Sequence, residues 1–420
     1  MDYSSKFLPL WNKNGFHEMT PIQKAVLKPF RTGESLVGLA PTGTGKTLAF
    51  ALPLLEEIMP HEGLQGLILA PSQELALQLR NVIRPWAAIV DINVQAVTGK
   101  ANIKRQIERL KKKPEILIAT IGRLMELTQQ RKIKYHQLST IVIDEADNML
   151  QQNNLAKIRQ IVSLAPADVQ LTLFSATTQP IFNELPKWFG SSFTTIDVRD
   201  QFLNHAVTHN FLQVANQHKI DMLRRLSHAK NFRALVFFNH EGQMHQAAVT
   251  LRHQQVKFAE LSSVGNQLKR QKAMKDFRDH KISLLLATDI AARGLDIANL
   301  ENVINFEIPN SKNTYIHRAG RTGRMFNSGR VITLGNDHDL RTLRQMVGDQ
   351  YQINKIYADG NELTTIRPQV TNTETIPLTN SEHKVTDNKT KVSSKEVTKK
   401  KHHKNRKRQQ KNKGYHPKKK

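Results

Sequence analysis

Three carboxylates stand within four positions at the end of an apolar run: STIVI (139–143) is followed at once by Asp144, Glu145 and Asp147. Acids at the end of a buried strand can hold a divalent cation or aim a water molecule, or they can simply cap the strand in solvent. A second motif decides between these. PTGTGKT (41–47) follows the apolar run SLVGLA and leads into the helical pattern LAFALPLLEEI. Gly43 and Gly45 let backbone N–H groups turn toward phosphate oxygens at a helix start, where the helix dipole also favours negative charge. Lys46 then reaches the β- and γ-phosphates, and Thr47 binds Mg²⁺. The strict loop pattern opens with Gly, where this chain has Ala40, the position that faces phosphate least. A nucleotidase of this kind needs an acid on a neighbouring strand end for the metal and a group that positions the attacking water. Asp144 is therefore assigned to magnesium and Glu145 to the water.

These groups meet only if both strands run parallel, because ligand sites in such sheets lie at the carboxyl ends of the strands. The rest of the text supplies that scaffold. SLVGLA, GLILA, EILIA, TIVI and LTLF are short apolar runs separated by stretches long enough for helices, the pattern of buried parallel strands with crossover helices. RALVFF, VKFAEL, ISLLLA, NVINF and GRVITL repeat it after about residue 205. The fold class is α/β with two tandem lobes, 1–204 and 205–360, and VRDQFLNHAVTHN (198–210) is the expected hinge. From 361 the composition turns to Thr, Asn, Lys and Ser, too poor in apolar side chains to offset ordering entropy, so 361–420 is expected to be a disordered basic tail.

The chain of 420 residues carries 62 Lys plus Arg against 36 Asp plus Glu, a net +26 that points to polyanionic partners, nucleic acid first. Residues 391–420 hold 14 of those cations and one acid, a segment of +13 suited to sequence-independent phosphate attraction. The absence of cysteine excludes disulfides and thiolate metal sites. No apolar run approaches the length of a spanning helix and the first residues lack the pattern of a secretion signal, so a cytoplasmic protein without membrane contact is expected.

With DEAD intact at 144–147, the sequence closely resembles the DEAD-box family of ATP-dependent RNA helicases over about residues 7–358. The resemblance implies two RecA-like domains and an RNA-dependent ATPase. Phe16 followed by TPIQ resembles the motif in which the aromatic stacks on adenine and the glutamine, here Gln23, reads its edge, which implies ATP. Thr42, Gly43, Thr44, Gly45, Lys46 and Thr47 match its phosphate loop, and SAT (Ser175–Thr177) the motif that couples the acids to domain closure. ATDIAARGLDI and YIHRAGRTGR match the late motifs. They imply Thr288 on the RNA backbone, Asp296 near the ribose, Arg321 and Arg324 on the γ-phosphate, and His317 as the link between nucleotide and RNA. Pro71, Gly99, Thr120, Arg123, Ser175, Thr177, Gly294 and His317 complete the positions implied for RNA binding and coupling.

Three RNA-facing motifs depart from the family pattern. Ser72 and Gln73 stand where Thr and Arg are usual, Ile121 where proline is usual, and Gly99 is followed by Lys100 rather than a second glycine. Loss of an arginine removes a fixed cation, and loss of proline is expected to free a turn. The resemblance further implies a monomer acting on single-stranded RNA or short duplexes, with ribosomal RNA or pre-ribosomal particles, cold adaptation and RNA turnover as settings. A DNA helicase, an RNA clamp that scarcely unwinds, and a chaperone working through its basic tail are the rival readings.

Overall fold

A computed structural model describes residues 2–99, 101–202, 207–261, 267–292, 297, 300–323 and 328–366. The first lobe is a sheet of seven parallel strands: β1 (Leu36–Leu39), β2 (Gly66–Leu69), β3 (Val94–Val97), β4 (Ile116–Ala119), β5 (Thr140–Ile143), β6 (Gln170–Ser175) and β7 (Thr194–Asp197). Their spatial order is β3-β4-β2-β5-β6-β1-β7. Every residue of β1, β2, β4, β5 and β6 is buried, because helices cover both faces, and this is why those strands read as unbroken apolar runs. One apolar layer holds Phe7, Trp11, Ile22, Phe30, Phe50 and Phe174; the other holds Leu67, Leu117, Leu124, Ile141, Ile158 and Leu173.

The second lobe repeats the plan with β8 (Val207–Gln213), β9 (Ala234–Phe238), β10 (Phe258–Leu261), β11 (Leu284–Thr288), β12 (Asn302–Asn305), β13 (Gly329–Gly335), β14 (Ile353–Asp359) and β15 (Glu362–Thr364). The order is β10-β11-β9-β12-β13-β8-β14-β15, parallel except for the final β14–β15 hairpin. Phe211, Leu235, Phe277, Leu285, Tyr315 and Val331 form the core on one face, and Leu223, Phe238, Leu251, Leu286 and Ile332 the core on the other.

One expectation is narrowed and one is corrected. Both ends of the expected hinge at 198–210 are structured: Val198 is buried, Arg199–Phe202 forms a 3-10 turn, and residues 207–210 already belong to β8, while 203–206 lie outside the described residues. β8 was illegible because its buried positions include His209 and Asn210, which break the apolar run. Likewise β15 lies beyond residue 360, where composition placed the start of the tail; residues 367–420 lie outside the described residues. Among the described residues no helix is long and apolar enough to cross a membrane.

Candidate nucleotide and RNA site

The site is assembled from the carboxyl ends of strands. β1 ends at Leu39 and passes through Ala40, whose N–H still donates to Ser175 O at 3.1 Å. Ala40 is fully buried and belongs to the core cluster, so its methyl group is packed among apolar side chains where the strict pattern has Gly. The turn needs left-handed backbone at Gly43 (φ 79°) and Gly45 (φ 89°). A side chain at Gly45 would meet Gln23 Nε2 at 2.7 Å. Lys46 opens the helix Lys46–Glu57, and its Nζ donates to the loop carbonyls of Ala40 (2.7 Å) and Pro41 (2.9 Å). Thr44 Oγ1 donates to Pro41 O at 2.7 Å and stiffens the same turn.

Gln23 lies beside this loop on the helix Pro21–Arg31. Its Oε1 accepts from Thr20 N (2.9 Å) and its Nε2 donates to Gly45 O (3.3 Å), so the buried amide braces the phosphate loop. Phe16 is partly buried and packs edge-on against Trp11, ring centroids 5.1 Å apart.

The three acids divide by environment. Asp144 is buried, and its pKa is pushed up to about 7, first by desolvation and then by the charge of Glu145, with Lys46 pulling the other way. Glu145 has φ 48° and ψ 50°, left-handed backbone that costs a non-glycine residue about 1–2 kcal/mol. Its N–H donates to Asp144 Oδ1 (2.9 Å), and Asn148 Nδ2 donates to its carboxylate (3.2 Å). Asp147 is buried too, yet its pKa is lowered: burial alone would raise it, but His317, Thr177 and Ser175 together outweigh that. Thr177 Oγ1 donates to Asp147 Oδ2, and His317 Nε2 lies 2.9 Å from the same oxygen. Ser175 Oγ accepts from Thr177 N (3.2 Å) and donates to Thr177 O (2.7 Å), which holds the threonine in place.

His317 belongs to the second lobe, so this hydrogen-bonded group joins the two sheets. It sits on the helix Lys312–Ala319, capped by Ser311, whose Oγ accepts from Thr314 N at 3.1 Å. At Gly320 an added Cβ would stand 1.5 Å from Thr42 Oγ1, so only glycine lets this turn approach the phosphate loop. A cavity of about 60 Å³ between the lobes is lined by Glu145 and Asn148 from one side and Asp289, His317, Arg318 and Arg321 from the other. Arg321 is buried at its wall. Arg324, Asp296 and Gly294 lie outside the described residues.

Sequence reading passed over Arg318, which is 1% exposed. Its guanidinium makes a two-pronged contact with Asp289 (2.7 Å to each oxygen), donates to Asn239 Oδ1 (2.7 Å) and lies over the Phe237 ring. Its signal was the arginine that directly follows His317 in HRAGRTGR, the last motif's first arginine. Also unforeseen is a second link between lobes, where Arg270 lies 3.8 Å from Glu74 and donates to Ala291 O at 2.6 Å.

On the expected RNA face, Pro71, Gly99 and Thr120 follow the ends of β2, β3 and β4, and buried Thr288 ends β11. Ser72 caps the helix Gln73–Ala87, accepting from Leu75 N at 3.1 Å, so it does the work a threonine would. Ile121 opens the helix Ile121–Gln129 with its side chain in the core, so the lost proline frees no turn. Arg123 donates to Ala101 O (3.1 Å) and pairs with Glu126 (2.9 Å), which fixes the loop after Gly99.

The arrangement suits phosphoryl transfer to water: a cradle for polyphosphate, buried acids on one side and guanidinium groups on the other. Comparison with known proteins agrees. Residues 20–185 match the DEAD/DEAH box helicase model and residues 218–326 the helicase conserved C-terminal domain. The DEAD-box ATP-dependent RNA helicase CshC of Bacillus cereus is 35% identical over 336 residues, covering 80% of this chain and 86% of that protein. The probable ATP-dependent RNA helicase YfmL of Bacillus subtilis is 38% identical over 338 residues, covering 80% and 90%. Saccharomyces cerevisiae Dbp5, solved with RNA and ADP BeF3, shares the fold with a TM-score of 0.75 at 24% identity, over 85% of this chain and 94% of that one. Two RecA-like sheets, a phosphate loop facing DEAD acids, and relatives matched over four-fifths of the sequence place the chain in the DEAD-box family of ATP-dependent RNA helicases.

Proposed function

We propose that the protein couples ATP hydrolysis to local opening of short RNA duplexes, and that the Asp147–Thr177–His317 group transmits between the two events. The observation that carries this is the shared Asp147 Oδ2, which takes Thr177 from the strand end of one lobe and His317 from the other lobe. In this reading Phe16 and Gln23 hold adenine, and Thr42 to Thr47 hold the phosphates. Asp296 meets the ribose, and Arg321 and Arg324 stabilise charge on the transferred phosphoryl group. Glu145, held by Asn148 beside Asp144, orients the attacking water.

The residues fit Mg²⁺: Asp144 is held up to about 7 by burial first and the charge of Glu145 second, a carboxyl group that a divalent cation would restore to its charged form. Thr47 and Asp144 would hold the ion, in part through water, and its chemistry there is neutralisation of phosphate charge. Among the described residues no group of three or more His, Cys, Asp or Glu is placed to hold a metal ion.

RNA would lie along Pro71, Gly99, Thr120, Arg123, Thr288 and Gly294, with backbone contacts that position a strand without reading it. The +13 segment 391–420 supports a tether to structured RNA, and we infer a cytoplasmic monomer working in ribosome assembly, cold adaptation or RNA turnover. The test is strand displacement from a short RNA duplex. The wild type should displace the strand with ATP, whereas Glu145→Gln should bind ATP and RNA and release no strand. Equal displacement by the two proteins, or by wild type without nucleotide, would overturn the coupling.

A further inference from the structure

A second cavity lies in the first lobe, away from the reaction site. β4, β2 and β5 are neighbours in that sheet and run parallel, so the connections that enter them, residues 58–65, 111–115 and 130–139, meet at one end. Pro71, Thr120 and Asp144 leave the same three strands at the other end. A cavity of about 320 Å³ opens between the entering connections, against about 60 Å³ for the one between the lobes. Ligand pockets begin at roughly 300 Å³. The floor is aliphatic: Leu64, Leu110 and Ile133 are half-buried and pack against the core behind them, with Leu117 of β4 beneath. Part of the core is thus open to solvent here.

Hydrogen bonds fix the walls. The Gln65 amide closes the first connection on itself, its Oε1 accepting from Met59 N (2.9 Å) and its Nε2 donating to Met59 O (2.7 Å). The carboxylate of Glu115, 1% exposed, accepts from His61 N (2.9 Å) and Asn93 N (2.8 Å), which ties that connection to the entry of β4. Ser139 N donates to Gln65 O (2.9 Å), and the buried Tyr135 places its hydroxyl 2.6 Å from Thr128 Oγ1, so the third connection is held as well. A pocket built in this way is present before a ligand arrives, and binding costs little ordering. The rim is basic. Lys113, Lys132 and Lys134 are exposed on it, with Glu62 as an acid beside them. RLKKK (109–113) and RKIK (131–134) bring seven cations and no acid to its two sides.

We propose that this cavity is a docking site for a partner protein, which inserts an apolar side chain carried on an acidic segment. A basic rim attracts either an acidic peptide or RNA, and the floor chooses between them. An RNA base gains most from an aromatic face, whereas no Phe, Tyr or Trp is among the described lining residues, and the His61 ring places Nε2 3.2 Å from Asp91. Aliphatic side chains reward the burial of another apolar side chain, while the lysines meet carboxylates on either side of it. The site goes beyond the function proposed above and complements it. Because the cavity opens at the far end of the strands, a partner seated there leaves the phosphate loop and the RNA face clear. Such a partner supplies the choice of target that contacts to an RNA backbone do not make.

The test uses the full chain and a panel of short fluorescent peptides, each with leucine, isoleucine, methionine or phenylalanine between runs of aspartate and glutamate. Matching peptides carry alanine at the centre. Binding is read as anisotropy across salt, for wild type and for Lys132→Glu combined with Lys134→Glu, two exposed positions whose exchange leaves the core intact. Peptides with an apolar centre should bind wild type, and alanine at the centre should weaken them about tenfold. The charge-reversed variant should lose about tenfold at low salt and less at high salt, with ATP hydrolysis unchanged in the presence and absence of RNA. Failure of every acidic peptide to bind, or equal binding with alanine at the centre, would overturn the site. Unchanged affinity in the variant would place the binding on the basic tail and overturn it too. Oligouridylate that displaces the peptide as well as unlabelled peptide does, or a variant that loses RNA-stimulated hydrolysis, would assign the cavity to RNA instead.

Discussion

Two arginines three positions apart show how one residue type divides its work. Both line the cavity facing Glu145, but the Arg318 guanidinium is taken up by its own lobe, tying the helix Lys312–Ala319 to Asp289 on the short helix after β11 and to Asn239 after β9. Arg318 therefore positions the groups that touch nucleotide and is not itself a catalytic residue. Replacement by methionine keeps bulk over Phe237 but leaves Asp289 and Asn239 without their partner, and should destabilise the second lobe by about 2–4 kcal/mol in denaturant unfolding. Lysine should recover little of this, because a point charge cannot replace a two-pronged contact. Full stability in the methionine variant would show that the buried pair is dispensable. The sequence displayed both arginines but could not say which is taken up by its own lobe, since that depends on where Asp289 and Asn239 arrive from distant strands.

At the scale of elements, most of the legible strands were buried on both faces, although the edge strand β10 was legible with only Leu261 buried. β1, β2, β4, β5, β6 and five strands of the second lobe announced themselves as apolar runs, and the motifs at their ends fell into one crevice as parallel topology requires. β3 and β7 are sheet edges with partly or largely exposed residues, and β14 alternates with exposed positions, so none makes an apolar run. β8 was hidden by His209, which is nonetheless buried against Tyr315, with Nδ1 2.7 Å from its hydroxyl, and beside the Tyr351 ring at 4.4 Å. Burial holds its pKa down at about 4 against an ordinary 6.5. The unfolded chain then binds a proton that the folded chain refuses, so stability is present above pH 6.5 and is lost as pH falls toward 4. The loss amounts to about 3 kcal/mol at most, at roughly 1.4 kcal/mol per pH unit. His209→Phe should flatten this part of the stability profile, measured as urea midpoint against pH. Parallel profiles for wild type and variant would refute the assignment. Because Tyr315 lies two residues before His317 on the same helix, acid weakening here should also loosen the helix that reaches across to Asp147.

For the whole molecule, the proposed function divides one reaction centre between the lobes. The phosphate loop and DEAD acids lie on one sheet, and Arg321 and His317 on the other, so in that proposal the distance between sheets controls the chemistry. Among the described residues, contacts that span that gap include Asp147 with His317, Thr42 against Gly320, and Glu74 with Arg270. The first adjoins the phosphate loop, and the last follows Pro71 on the face assigned to RNA, so on the proposed function a strand that draws the lobes together there would also complete the site for hydrolysis. The sequence led to the expectation that hydrolysis requires closure, because the late-motif arginines belong to the other lobe. It could not foresee Glu74–Arg270, a pairing of residues nearly two hundred positions apart that only folding brings together. The most direct test is steady-state ATP hydrolysis by wild type and His317→Ala, each without nucleic acid, with single-stranded RNA and with single-stranded DNA of the same sequence. RNA alone should accelerate the wild type, and the variant should keep its unstimulated rate while losing the acceleration. Full RNA stimulation in His317→Ala would contradict transmission through Asp147, and a wild type indifferent to RNA would contradict the coupling altogether.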